Sequence, residues 1–103
     1  MYKLEYLPIA LNDMVDIARY ISQDLKNPDA AIRLSEKMIN SAEKIKDSPY
    51  INPVFTAAKP LKKEYRRLIV KNYIMFYWVD ETEKKIIMAR VFYGKRNCEA
   101  FLK

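Results

Sequence analysis

Three side chains in this sequence are of the types that metal-free chemistry on a phosphate requires: Arg67, Arg96 and Tyr93. An arginine can grip a phosphate with two parallel hydrogen bonds and stabilise charge on a transferring phosphoryl group. A tyrosine or lysine in a cationic pocket can have its pKa lowered and relay a proton. An RNA 2′-hydroxyl would then be the nucleophile, with no metal required. Around these three stand Arg66, Lys71 and Lys95, which with Arg96 are candidate contacts for a target or a protein partner. Tyr93 is the best placed for an exposed functional ring, because it ends a strand pattern directly before Gly94-Lys95-Arg96.

The residue inventory excludes most other chemistries. The chain has no histidine, so the commonest general base and the commonest metal ligand are missing. One cysteine, Cys98, and no histidine cannot assemble a zinc site in the usual way, and a lone cysteine forms no intramolecular disulfide. The single Gly94 rules out a glycine-rich phosphate loop. No metal and no cofactor are therefore expected. Asp13 and Asp16 share a helical spacing, and both are read as surface charge on the solvated side of a helix.

Charge is distributed unevenly. Residues 59–103 carry twelve lysines and arginines against five acids, whereas residues 1–58 carry seven against eight. The whole net charge of +6 thus lies in the C-terminal part, which suits an anionic or aromatic partner surface. No apolar run reaches membrane-spanning length, and the N-terminus lacks a signal-peptide core. A soluble cytoplasmic protein with no membrane contact is expected.

The elements that must position these residues follow from periodicity. Tyr2 to Leu7 alternates as a short strand. Leu11, Met14, Ala18, Ile21 and Leu25 recur at three-four spacing, widened by Val15 and Ile17, which predicts a helix from about Pro8 to Leu25. Asn27 caps a second helix that has Pro28 in its first position and the stripe Ala31, Leu34, Met38, Ala42 and Ile45. Ser48-Pro49 stops it, and Tyr50 to Pro60 reads as a loop returning to the sheet. Strands are expected at Tyr65–Val70, Tyr73–Val79 and Lys85–Tyr93. Lys71-Asn72 marks a tight turn in which asparagine tolerates positive φ. The continuous apolar run Tyr73–Val79 argues a strand covered on both faces. Tyr73, Tyr77 and Trp78 are packing residues, with Trp78 on the opposite face from the two tyrosines. The expected fold is α+β over one domain, residues 1–103. An N-terminal strand and an antiparallel helical hairpin precede a three-stranded antiparallel meander, in a two-layer sandwich. The sheet face away from the helices is expected to stay partly free and to carry basic residues. Arg90 is expected to pair with an acid such as Asp16 or Glu64.

Taken together, YLPIALNDMVDIARYI, NPDAAIRLSEKMINSAEKIKDSPYINP, YRRLIVKNYIMFYWVD and IIMARVFYGKRN resemble the RelE/ParE superfamily of bacterial toxins across residues 2–102. The resemblance rests on Ala10, Asp13, Ile17, Tyr20 and Ile21, then Ala31 and Pro49, then Arg66 or Arg67, Tyr73, Tyr77, Asp80, Arg90 and Val91. It implies a toxin of a two-gene module, wrapped and neutralised by a cognate antitoxin. RelE-like members cut mRNA in the ribosomal A site, and ParE-like members inhibit DNA gyrase. Ile74 stands where the RelE-like group has arginine, and the tyrosine expected near the C-terminus is replaced in the region of Phe101 and Leu102. Gly94-Lys95-Arg96 resembles the RelE-like segment that binds phosphate, whereas Ile74-Met75-Phe76 and Ala89-Arg90-Val91 look ParE-like. The resemblance therefore implies a gyrase inhibitor. A ribosome-dependent mRNA endonuclease that acts through Arg67, Arg96 and Tyr93 is the alternative.

Overall fold

The computed structural model describes residues 1–57, 61–94 and 102. The chain runs β1 (Lys3–Tyr6), α1 (Pro8–Arg19), a π-helical turn (Tyr20–Asp24), α2 (Pro28–Lys44), β2 (Arg66–Val70), β3 (Tyr73–Asp80) and β4 (Lys85–Tyr93). These are the strand, helical hairpin and three-stranded meander read from the sequence. The four strands form one sheet in the order β1-β4-β3-β2. The meander is antiparallel, and β1 joins its β4 edge in parallel, with Lys3 opposite Lys85 and Tyr6 opposite Met88.

Local chemistry accounts for the helix ends. Pro8 and Pro28 occupy first-turn positions, where a missing N–H leaves no intrahelical bond unmade. The Asn27 side chain accepts from Ala30 N at 3.2 Å, capping α2 as its sequence predicts. α1 closes through π geometry: Leu25 N donates to Tyr20 O and Asn27 N to Ile21 O, with Lys26 at φ 53°. The left-handed residue of the β2–β3 turn is Lys71 (φ 54°), not Asn72. Lysine pays a steric penalty there that asparagine largely escapes.

The helices cover one sheet face. α2 buries Ala31, Leu34, Met38 and Ala42, with Ile45 just beyond its end, against Leu68, Val70, Met75, Tyr77, Ile86, Met88 and Val91. α1 departs from its expected stripe. Ala10 and Ile21 are buried and Met14, Ile17 and Ala18 partly so, but Leu11, Val15 and Leu25 are about half exposed. The apolar arc of α1 is wider than the sheet it sits on, so its outer edge is left over.

The opposite face is not left free. Phe55, Leu61, Tyr65, Trp78, Phe92 and Leu102 form a second cluster around the fully buried Phe76. Phe55 meets Phe76 edge-on, with ring centroids 5.1 Å apart. The expected free face is thus covered by the segment that follows Pro49, which wraps round the β2 edge. Val54 bridges to Arg66, Phe55 N donates to Tyr65 O, and Arg67 N donates to Pro53 O. The basic residues do lie here, stacked on the covering rings: Lys63 over Trp78, Arg67 over Phe55 and Arg90 over Phe92.

Polar side chains hold that segment in place. The buried Tyr77 hydroxyl donates to Pro49 O (2.7 Å) and accepts from Asn52 Nδ2 (3.2 Å). Arg66 donates to Asn52 O at 2.7 Å and stacks on the Tyr50 ring. The Tyr50 and Tyr2 hydroxyls both donate to Glu81 Oε1, while Lys84 Nζ lies 2.6 Å from Oε2. Tyr77 therefore does more than pack.

The β4 strand carries a bulge. Phe76 opposes Arg90 and Tyr77 opposes Met88, so Ala89 has no partner residue. Beside the bulge stands Asp13 of α1. Its carboxylate accepts from Arg90 Nε (2.8 Å), from Arg90 Nη2 (3.1 Å) and from the backbone N–H of Val91 (2.9 Å). This corrects two expectations. Asp13 is not solvated surface charge, since its side chain is only 15% exposed, and the acid paired with Arg90 is neither Asp16 nor Glu64. Asp16 instead makes a loose surface pair with Arg19, and the exposed Glu64 pairs with the mostly buried Arg66.

Two outcomes follow. Asp13→Ala, which leaves a half-buried guanidinium and a strand N–H without their acceptor, should lower unfolding free energy by about 2–4 kcal/mol in urea melts. Asp13→Asn should lose less, and a loss no larger than that of Asp16→Ala would discount the latch. The second concerns acid. Hydrogen bonds from Lys84, Tyr2 and Tyr50 hold the Glu81 carboxyl down to about 2, against an ordinary 4.5. A folded-state pKa below the unfolded one adds stability above about pH 4.5 that is lost as pH falls towards about 2. Glu81→Gln should flatten that part of the acid limb, and superimposable stability curves for the two proteins would refute the assignment.

Candidate functional surfaces

Successive residues of a strand point to opposite faces, and this separates the sequence-predicted site residues. Arg67 opposes Phe76, shares its face and sits 5.8 Å from the Phe55 ring. Tyr93 opposes Tyr73 on the helical face, and the two rings meet edge-on with centroids 5.7 Å apart. Three residues along β3, roughly 10 Å, also separate their positions. Arg67 and Tyr93 therefore do not converge on one atom. Lys95 and Arg96 lie outside the described residues.

The remaining basic candidates divide by role. Arg66 spends its guanidinium on Asn52 O, Tyr50 O and Glu64, which makes it an internal tie. Lys71 is exposed at the β2–β3 turn. Arg67 differs from both. Its Nε is buried and has no hydrogen-bond partner among the described residues.

The ionisable groups offer little base strength near neutrality. Burial raises the phenols of Tyr6, Tyr65, Tyr73 and Tyr77, and the hydrogen bond to Glu81 raises those of Tyr2 and Tyr50. These hydroxyls stay protonated at pH 7 and can donate but not abstract. Glu81 moves the other way, towards a weaker base.

Two concave surfaces flank the end of α1. The outer side of the helical hairpin holds an apolar groove of about 520 Å³, lined by Val15, Ala18, Ile32 and Ile39 with Ser22 and Ser35. Ile32 and Ile39 are 57% and 47% exposed. They stand seven residues apart and off the core stripe of α2, a spacing that marks a second apolar face and could have disclosed the groove from sequence. On the other side of α1, Ile17, Tyr20, Leu25, Tyr73 and Tyr93 line a pocket of about 680 Å³ with Asp16 and Asn72 at its margin. Among the described residues, no helix is long and apolar enough to cross a membrane.

Comparison with known proteins agrees with this architecture. The chain superposes on the chromosomal ParDE toxin–antitoxin system from P. aeruginosa with a TM-score of 0.74 at 15% identity, covering 92% of this chain and 98% of that one. The RelBE2 toxin–antitoxin complex from Mycobacterium tuberculosis gives 0.65 at 13% identity, over 89% and 96% of the two chains. The isolated E. coli RelE toxin gives 0.60 at 16% identity, over 98% and 92%. At such identities these likenesses speak for the fold alone. No curated protein sequence matches significantly. Residues 4–98 match the family model described as the ParE toxin of the type II toxin–antitoxin system parDE. The chain belongs to the ParE toxin family of type II toxin–antitoxin systems.

Proposed function

We propose that this toxin arrests bacterial growth by inhibiting DNA gyrase and that a cognate antitoxin silences it. The separation of Arg67 from Tyr93 on opposite sheet faces carries the choice of target. A metal-free ribonuclease has to position the phosphate, take the 2′-hydroxyl proton and stabilise the developing charge at one place. Here the guanidinium and the phenol stand on two sides of the sheet, and the shifted tyrosines hold their protons more tightly than free phenol, so they stay protonated at neutral pH. Ile74, half-buried beside Phe76, supplies no charge where RelE-like toxins carry arginine. A protein-binding inhibitor needs none of that convergence. The family match and the likeness to the ParDE system support the same reading.

The antitoxin is proposed to lay an amphipathic helix in the groove between α1 and α2. Helix-in-groove binding needs an apolar trough with polar rims, and Val15, Ala18, Ile32 and Ile39 form the trough while Arg19 and Glu36 stand at the rim. The solved relatives that hold two partners are toxin–antitoxin systems, which supports a partner of this kind.

One observation favours the alternative of a ribosome-dependent mRNA endonuclease: the Nε of Arg67 has no hydrogen-bond partner among the described residues. A single experiment separates the readings. Purified toxin should block gyrase supercoiling, and mRNA ends mapped in arrested cells should show no codon-phased cuts. Phased cuts that vanish in Arg67→Ala, with supercoiling untouched, would make the chain a nuclease.

For the groove, Ile39→Glu places a charge on the trough at a position too exposed to unfold the domain. It should weaken antitoxin binding about tenfold or more, the size of a lost central apolar contact. Salt should slow association, because the excess of positive charge steers encounter. Unchanged affinity in Ile39→Glu would move the antitoxin to another surface.

A further inference from the structure

The tyrosine pocket on the far side of α1 is used by nothing above. We infer that it receives an arginine side chain of the antitoxin, inserted by the segment that leaves the α1–α2 groove. This rests on the groove reading for the identity of the partner, but the pocket's chemistry stands on its own residues.

The lining points to a planar cation. Tyr73 and Tyr93 meet at 69°, so the pair presents both an edge and a face. Tyr20 and Tyr93 are 52% and 43% exposed, leaving apolar ring surface open to a ligand. Among the described residues, the hydroxyls of Tyr20, Tyr73 and Tyr93 have no hydrogen-bond partner. They are close enough for Tyr93 and Tyr20 to help raise the Tyr73 phenol after burial has done so. Three phenol oxygens therefore gather without internal use, and each can accept a hydrogen bond.

Among the described residues, the one ionised group in the lining is the Asp16 carboxylate. Its single partner among the described residues, Arg19, lies 3.4 Å away, with both side chains well exposed. Such a surface pair contributes little and yields readily to a better fork. A guanidinium brings five donors in one plane, binds a carboxylate through two of them and stacks on aromatic faces. A lysine ammonium fits the rings but not the fork. A nucleobase would stack equally well, but a nucleotide's phosphate would meet Asp16.

The backbone supports a built pocket over an accidental one. The π-helical turn throws Tyr20 and Leu25 outward at its two ends, and such turns cluster at functional sites. Lys26 holds left-handed geometry to complete it. The groove and the pocket also share one turn of α1. Val15, Ala18 and Arg19 face the groove, while Asp16, Ile17 and Tyr20 face the pocket. A chain crossing that ridge passes directly from one to the other.

The test uses N-acetyl-arginine methylamide titrated into the full chain, with the ring resonances of carbon-13-labelled tyrosines followed. Citrulline and lysine counterparts and adenosine monophosphate run in parallel. The arginine compound should shift Tyr20, Tyr73 and Tyr93 saturably, and the uncharged citrulline compound should bind roughly tenfold more weakly, as expected for a lost charge-assisted fork. Asp16→Asn, at an exposed position that leaves the fold intact, should remove most of that preference. No saturable shift, equal binding of citrulline, or tighter binding of the nucleotide would overturn the assignment. In Ile39→Glu the arginine response should persist. A silent pocket in a toxin that still binds its antitoxin refutes the pocket alone, whereas a responsive pocket in a toxin that ignores groove changes refutes the groove reading.

Discussion

β1 is four residues long and β4 is nine, and this mismatch sets a constraint that the rest of the molecule satisfies. Past Met88, no strand among the described residues lies on the outer side of β4, so its outward N–H groups need another acceptor. A buried donor without one is expensive. The chain solves this with the next element in sequence. α1 starts directly after β1, lies along β4 and brings Asp13 to Val91 and Arg90 at the bulge. One carboxylate thereby fixes the angle of the helix on the sheet, completes the ladder and neutralises a half-buried cation. The position of α1 in turn decides where the groove and the tyrosine pocket open.

A second set of contacts determines what the basic residues can do. Tyr77, Arg66 and Glu81 grip the segment after Pro49 and carry Phe55 onto Phe76. The second sheet face is then a small core under a layer of stacked cations, not an open basic floor. Arg66 and Arg90 are spent on internal partners. Positive charge that looks like a binding face in the sequence is partly structural cement, which leaves Lys71 and Arg67 as the described candidates with charge to offer.

How much of this was legible depends on the length scale of each signal. The α2 stripe was, because five apolar residues at helical spacing face one way against one sheet. The Asn27-Pro28 start and the β3 run were equally plain, since caps and strand patterns are local. Asp13 was misread because its partner lies 77 residues away and nothing nearby marks it. Leu11 and Val15 were misplaced because periodicity gives the width of an apolar arc but not the width of the surface it meets. The π-helical turn carries no residue signature in Tyr20–Asp24, yet it rotates Leu25 off the core. The covered second face depends on Tyr77 and Arg66 capturing a proline-bounded segment, a tertiary event with no periodicity. Arg67 and Tyr93 were grouped by residue type, and the strand pleat parted them.

Pairing β1 with β4 also has a consequence in time. The first strand of the chain finds its neighbour some eighty residues later, at Lys85–Met88. Contacts this far apart in sequence close slowly, because the intervening loop entropy is lost before any contact is gained. On a translating ribosome the wait is imposed outright. At about 5–20 residues per second, β1 stands without its partner for roughly 4–16 s. For that interval α1 has no Val91 or Arg90 to seat Asp13 upon, and the groove it helps to form lacks its final geometry. A nascent chain therefore lacks its finished fold for most of its synthesis and completes it only when its last strand arrives.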